Sequence, residues 1–255
     1  MRPVKPFKII KMKIIFLGVG EAFDENLSNN CHLIQTKKTN LLLDCGYSIP
    51  QLLWKFNPDP NFLDIIYISH QHADHFFGLP AVLMRMWEDG RKKDLTIIGQ
   101  KGLQDFMDYA YKGFLEKFKY KINLAESKNG GKINFQDLKL SFSKTVHSGE
   151  NLAVKVSDGK NIIAYSGDGS PIAGSNFYKN LDLLISETYL YDQEKIGHAS
   201  IVGAIKFAEE NNVKCLALTH MNRDFRRIDL PKIKYKIKSD KVKIIIPEPL
   251  DEYEI

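Results

Sequence analysis

The chain has 255 residues, 44% of them hydrophobic and 26% charged, and a net charge of +5. That balance describes an ordinary globular protein able to bury a sizeable core in one domain spanning 1–255, and it excludes a disordered or fibrous chain. No apolar run approaches the ~20 residues needed to cross a bilayer, and the three cysteines, Cys31, Cys45 and Cys215, include no CxxC pair, which argues for reduced thiols and a cytoplasmic setting.

Residues 1–13 are basic and lead into Ile14-Ile15-Phe16-Leu17, which is too short for a signal-peptide core and reads as a first strand over 13–18. Strands are expected at 31–36 and 40–44, then a short helix at 49–55. Residues 65–69 (Ile-Ile-Tyr-Ile-Ser) read as a buried strand. A helix over 79–88 begins near Pro80, a residue suited to a first turn. A strand at 95–99 and a helix at 103–119 follow. That helix and the residue after it carry Phe106, Tyr109, Tyr111, Phe114, Phe118 and Tyr120, an aromatic set expected to pack into the core rather than to line a cleft or a subunit contact.

The second half has the same style. Paired strands are expected over 132–146. Strands at 152–157 and 161–166 flank Asp158-Gly159, a two-residue hairpin signal. A strand at 181–186 precedes an amphipathic helix at 200–210, N-capped by Ser200 and presenting Ile201, Ala204, Ile205 and Ala208 on one face. Strands at 215–219 and 241–246 complete the set. Lys232, Lys234, Lys236, Lys238, Lys241 and Lys243 fall mostly on one face if their segment is extended, which suits a solvated strand edge or contact with nucleic acid. Two strand-rich halves with helices outside make an α+β sandwich covered by helices on both faces.

Of seven histidines, three lie in His70-Gln71-His72-Ala73-Asp74-His75, directly after the apolar strand and before Gly78-Leu79-Pro80. Imidazole nitrogen and carboxylate oxygen are the donors zinc accepts. The spacing of His70 and His72 lets both aim the same way, while Asp74 and His75 face elsewhere and could serve a second ion. His147, Asp168 and His220 each stand at a strand end, where loops converge on a site, and supply the missing ligands. His32 lies inside an early strand with no partner motif and reads as structural.

These segments resemble the metallo-β-lactamase superfamily, and within it the ribonuclease Z-like branch. The likeness covers nearly the whole chain: Leu17-Gly18-Val19-Gly20, Leu43-Asp44-Cys45-Gly46, the segment from Ile68 to Pro80, Ser186-Glu187-Thr188, Gly197-His198-Ala199-Ser200 and Leu218-Thr219-His220 appear in the branch's order. The resemblance implies a four-layer αββα sandwich with a metal cleft along one edge. It implies two divalent ions, zinc first, with manganese or iron as alternatives. His70, His72 and His147 would hold one ion, Asp74, His75 and His220 the other, and Asp168 would bridge both. It also implies that His198 is a catalytic non-ligand oriented by Glu187. A carboxylate behind an imidazole fixes its tautomer and favours its protonated form, suited to a leaving alkoxide.

Two such ions ~3.5–4 Å apart lower the pKa of a shared water toward ~7, and Asp74 is placed to orient or deprotonate that nucleophile. The expected function is therefore a phosphodiesterase acting on RNA or on a cyclic or small phosphodiester. Hydrolysis of a lactone, thioester or sulfate ester is the alternative on the same site. The long arm by which tRNA-processing members of the branch grip their substrate is replaced by a hairpin over 152–166. A homodimer is the assembly the resemblance suggests.

Overall fold

The protein is seen in a computed structural model that describes residues 12–113, 117–193 and 195–255. The first half of the chain supplies β1 (Lys13–Gly18), β2 (Cys31–Gln35), β3 (Asn40–Leu43), β4 (Ile65–Tyr67), β5 (Leu95–Gly99) and β6 (Ile122–Glu126). With β15 (Glu252–Glu254) on its edge they form one sheet in the order β15-β1-β2-β3-β4-β5-β6. The second half supplies β7 (Lys132–Phe135), β8 (Leu138–Val146), β9 (Leu152–Ser157), β10 (Ile162–Tyr165), β11 (Ser170–Pro171), β12 (Leu183–Glu187), β13 (Cys215–Thr219) and β14 (Lys243–Ile245). Their sheet runs β11-β8-β9-β10-β12-β13-β14, with β7 beside β8.

The two sheets share one plan. Each has an antiparallel meander (β1-β2-β3 and β8-β9-β10), and the third strand of each pairs in parallel with the strands that follow. Parallel pairing continues through β4-β5-β6 and β12-β13-β14. Parallel strands need crossovers, and the crossovers put helices on the outer faces.

The two-residue period of a strand builds the layers. Ile14 and Phe16 of β1 face a central core shared with Leu140, Phe142, Val154, Ile163 and Ile185 of the other sheet. Ile15 and Leu17 face the opposite way, into a second core under α1 (Ile49–Phe56), α3 (Leu79–Glu88) and α4 (Leu103–Ala110). Helix α3 buries Leu79, Val82, Leu83 and Met86 at helical spacing, each worth roughly 1.5–3 kcal/mol relative to exposure. A third core lies under α5 (Ile201–Glu210) and α6 (Leu230–Ile233). The fold is the expected α+β sandwich of four layers, αββα.

Several local expectations are corrected. Helix α4 stops at Ala110 rather than continuing to 119, and Gly113, at φ +68°, takes the chain out of helical conformation. Tyr111 and Tyr120 are buried in the core, Phe106 and Phe118 pack against it, and Tyr109 is exposed; Phe114 lies outside the described residues, as does most of the basic stretch 1–13. The β9–β10 turn uses Asp158 to Asn161, with the Asp158 carboxylate accepting from the N–H groups of Lys160 and Asn161. The lysine-rich segment is helical at Leu230–Ile233 and Lys234–Lys236, started by Pro231, so its lysines are exposed but not aligned on one strand face. A single helical turn, α2 (Ala73–Phe76), and the π-helical turn Phe225–Asp229 were not signalled by periodicity. The three cysteines are free; Cys31 and Cys45 are buried and Cys215 is half-buried.

Candidate metal centre

The carboxyl ends of the parallel strands converge at one edge of the sandwich, where open α/β sheets bind ligands. Asp44 follows β3, the His70–His75 run follows β4, and Asp168 follows β10. Glu187 ends β12, and His220 follows β13. His147 follows β8. Gly46 is required beneath the histidine run, because a Cβ there would lie 1.9 Å from the carbonyl oxygen of Asp74.

All seven expected ligands come together in two overlapping groups. His70, His72, His147 and Asp168 form one, and Asp74, His75, Asp168 and His220 form the other. Asp168 belongs to both. Its carboxylate lies 4.0 Å from His70 Nε2, 3.9 Å from His75 Nε2, 3.7 Å from His147 Nε2, 3.8 Å from His198 Nδ1 and 3.0 Å from His220 Nδ1. One carboxylate within reach of five imidazoles is the position a bridging ligand requires.

The hydrogen-bond directions show which ring atoms are free. The Ser69 hydroxyl donates to Asp44 Oδ2 (2.7 Å), so it accepts from His70 Nδ1 at 3.0 Å. Asp44 Oδ2 also accepts from His75 Nδ1 (2.7 Å) and from the Tyr165 hydroxyl (2.7 Å), while Asp44 Oδ1 accepts from the Ser69 N–H (2.7 Å). His147 Nδ1 faces the Gly197 carbonyl at 3.4 Å. The Nε2 lone pairs of His70, His75 and His147 therefore point inward. Four buried atoms there have no hydrogen-bond partner: His70 Nε2, His75 Nε2, Asp168 Oδ1 and His220 Nδ1. Buried nitrogen and oxygen donors of these types that make no hydrogen bond fit divalent ions.

In the metal-free cluster the carboxylates and imidazoles set one another's charge. Burial alone would raise the Asp74 carboxyl, but His75 and His220 beside it outweigh that and hold it well below the usual carboxylate range. Burial would lower His75, yet Asp74 and Asp44 raise it well above its ordinary value. His220 sits at φ +58° and Asp44 at φ +61°, in a region non-glycine residues rarely adopt, and such strain collects at functional sites.

His198 lies beside the ligands as a third group with Asp168, Glu187 and His220. Its Nδ1 is 3.2 Å from Glu187 Oε2, and Glu187 Oε1 accepts the N–H of Ala199 at 2.7 Å. Its ring stacks on Tyr189 at 4.9 Å. The tight turn Lys195-Ile196-Gly197-His198 is closed by the His198 N–H donating to the Lys195 carbonyl (2.8 Å). Gly197 is needed in it, at φ +84° and with its Cβ direction 3.2 Å from His147 Cα. In the metal-free protein burial first, then Lys195 and His75, holds the His198 pKa below its ordinary value despite Asp168. Burial and the Asp168 charge push Glu187 well up.

A family model described as anti-Pycsar protein Apyc1 matches residues 12–251. The chain belongs to the Apyc1 family. Among curated relatives, ribonuclease Z of Saccharolobus solfataricus is 27% identical, over 83% of this chain and 89% of its own length. Human tRNase Z, short form, superposes with a TM-score of 0.81 at 21% identity, covering 96% of this chain and 99% of that one. The metallo-β-lactamase fold protein YhfI of Bacillus subtilis superposes at 0.79 and 23% identity, covering 96% and 99%. This Apyc1-family chain thus has the metallo-β-lactamase fold in its ribonuclease Z-like form, and its fold and His/Asp clusters are those of a metal-dependent hydrolase.

Sequence reasoning missed Asp44, Ser69 and Tyr165 as supports of the site, and Tyr189 behind His198. Asp44 carried a signal, since an aspartate ending an apolar strand also marked Asp168. His32 is fully buried between the rings of Phe16 and Tyr165, each 5.1 Å away, where it packs rather than ligates.

Proposed function

We propose that this protein is a dinuclear metal-dependent phosphodiesterase acting on small or cyclic phosphodiesters, with RNA ends as the related substrate. The observation that carries the reading is Asp168 shared between two ligand groups, with the Glu187–His198 pair on the same carboxylate. His70, His72 and His147 would hold one ion, Asp74, His75 and His220 the other, and Asp168 both. Zinc suits this donor set best, with manganese or iron as alternatives. Bound there, two divalent ions supply an acidified water as nucleophile and neutralise charge on the phosphoryl group.

The chain's own residues do the rest. Asp74, held ionised, orients the attacking water and can accept its proton. Glu187 fixes His198 through Nδ1, which leaves Nε2 to donate a proton to the departing alkoxide. Burial first, then the Asp168 charge, raises Glu187; divalent charge beside Asp168 would offset the second of these and make the carboxylate a firmer partner for an imidazolium.

The compact turn between β9 and β10 favours a small substrate over precursor tRNA. The alignment with the Saccharolobus solfataricus relative runs to 265 positions, yet takes in only 83% of this 255-residue chain. Tens of residues in that relative therefore have no counterpart here. Three reduced thiols support a cytoplasmic setting. Among the described residues no helix is long and apolar enough to cross a membrane. The reading takes the chain as one catalytic domain and as a homodimer, the latter checked by sedimentation.

The deciding experiment is turnover of bis-p-nitrophenyl phosphate by zinc- or manganese-loaded protein. Turnover supports the phosphodiesterase. A protein with two metals bound and no turnover would move the function to a lactone, thioester or sulfate ester.

A further inference from the structure

A cavity of about 230 Å³ lies against the backbone that carries His220. Val19, Thr219 and Met221 line it; the His220 N–H donates to the Val19 carbonyl at 2.9 Å, and Gly20 bridges to Met221. None of the seven proposed metal ligands lines it, nor does His198 or Glu187. Its volume falls just below the roughly 300–1,000 Å³ of drug-sized sites, which suits a smaller ligand. Leu27, Leu218, Leu230 and Ile246 give it walls of carbon from four separate segments. Such walls hold water poorly, since a buried water needs ~2–4 polar partners. One polar group is nonetheless shut in there: Thr219 is 2% exposed, and its hydroxyl makes no hydrogen bond. A buried hydroxyl without a partner is costly, and a polar ligand group relieves that cost.

We propose that this cavity binds a small zwitterion with an apolar side chain, a free amino acid of the leucine type. The charges on its rim carry the argument. Arg226 lines it but is already held by Asp24 through Nε and Nη2. Lys234 and Glu248 also line it, both exposed, and neither is in an ion pair among the described residues. A lone carboxylate there is drawn by Lys234 and repelled by Glu248, and a lone amine meets the reverse. A molecule with one charge of each sign pairs with both. Its carboxylate meets Lys234 and takes the Thr219 hydroxyl, its ammonium meets Glu248, and its side chain enters the carbon-lined interior. The proposal does not depend on the phosphodiesterase reading, because it uses no residue of that site.

The test is calorimetric binding of L-leucine, glycine, 4-methylpentanoate and 3-methylbutylamine to the zinc-loaded full chain. Wild type, Lys234→Glu and Glu248→Lys are compared; both positions are exposed and neither belongs to the metal cluster. Leucine is expected to bind wild type about tenfold or more tighter than glycine, because only leucine buries an apolar side chain. The acid and the amine, each lacking one charge, should bind about threefold or more weakly than leucine. Each charge reversal should weaken leucine about fivefold or more. No leucine binding below about 10 mM overturns the proposal. Equal binding of glycine and leucine, undiminished in both variants, overturns it too, since that pattern is coordination of the amino acid to the metal. If 4-methylpentanoate binds as tightly as leucine, the site takes an anion alone and the zwitterion proposal fails.

Discussion

Asp44 Oδ2 lies 2.7 Å from His75 Nδ1, both fully buried, and that contact sets which nitrogen of His75 faces the cluster. The same carboxylate takes the hydroxyls of Ser69 and Tyr165, and through Ser69 it also orders His70. One residue that is itself no ligand therefore aims one ligand of each proposed ion.

Asp44→Asn is expected to fold, since asparagine tolerates the φ of +61°. It should bind metal about 10–100-fold more weakly, the usual cost of losing such a support. Chelator competition measures this. An unchanged affinity would show that packing alone holds His75. As the contrast, His72→Ala should lose metal and activity together by elemental analysis and turnover.

His198→Ala should keep two metals, because His198 is not a proposed ligand. Its turnover of a diester with a poor leaving group should fall about 10²–10⁴-fold. The loss should be much smaller for a nitrophenolate leaving group, which needs no proton. Glu187→Gln should follow the same pattern more weakly. Equal losses on both substrates would contradict the proton-donor role.

His32 makes the metal-free protein acid-sensitive. Burial, then the charge of His75, lowers its pKa to about 3. The unfolded chain titrates near 6.5, so between pH 6.5 and 3 the unfolded state binds more protons and stability falls as pH falls. From pH 7 to 5 this one group should remove about 2 kcal/mol. Urea unfolding of chelated wild type and His32→Leu at the two pH values should show a steeper loss in wild type by that amount. Parallel losses would show that other groups dominate.

A run of charged pairs ties the loop after β1 to the turn after His220. Arg223 pairs with Glu21, Arg226 with Asp24 and Arg227 with Glu25. Asp24 is wholly buried in its side chain and accepts from Arg226 Nε at 3.0 Å and Nη2 at 2.7 Å. Removing the arginine strands a buried carboxylate, so Arg226→Leu should destabilise the protein by about 3 kcal/mol. Exposed Arg227→Leu should cost less than about 1 kcal/mol. Denaturant midpoints of the two variants give the comparison.

The sequence by itself marked two strand-rich halves with helices outside, and the cluster of candidate metal donors. Alternating and continuous apolar runs fix which residues leave water, and His70, His72, Asp74 and His75 are local neighbours whose donor chemistry is visible without a fold. His147, Asp168 and His220 were legible because each ends a strand. What only the tertiary structure decided lies between segments far apart in the chain. Asp44 meets Tyr165 across 121 positions, and the turn of His198 lies over His147. The end of α4 at Ala110 and the helical lysine segment were also decided there, since backbone turns at Gly113 and Pro231 overrode the periodicity. Periodicity records how strongly a residue avoids water, a one-dimensional property. Which nitrogen of a histidine is held, and which carboxylate holds it, depends on directions in space that only strand pairing and sheet packing establish.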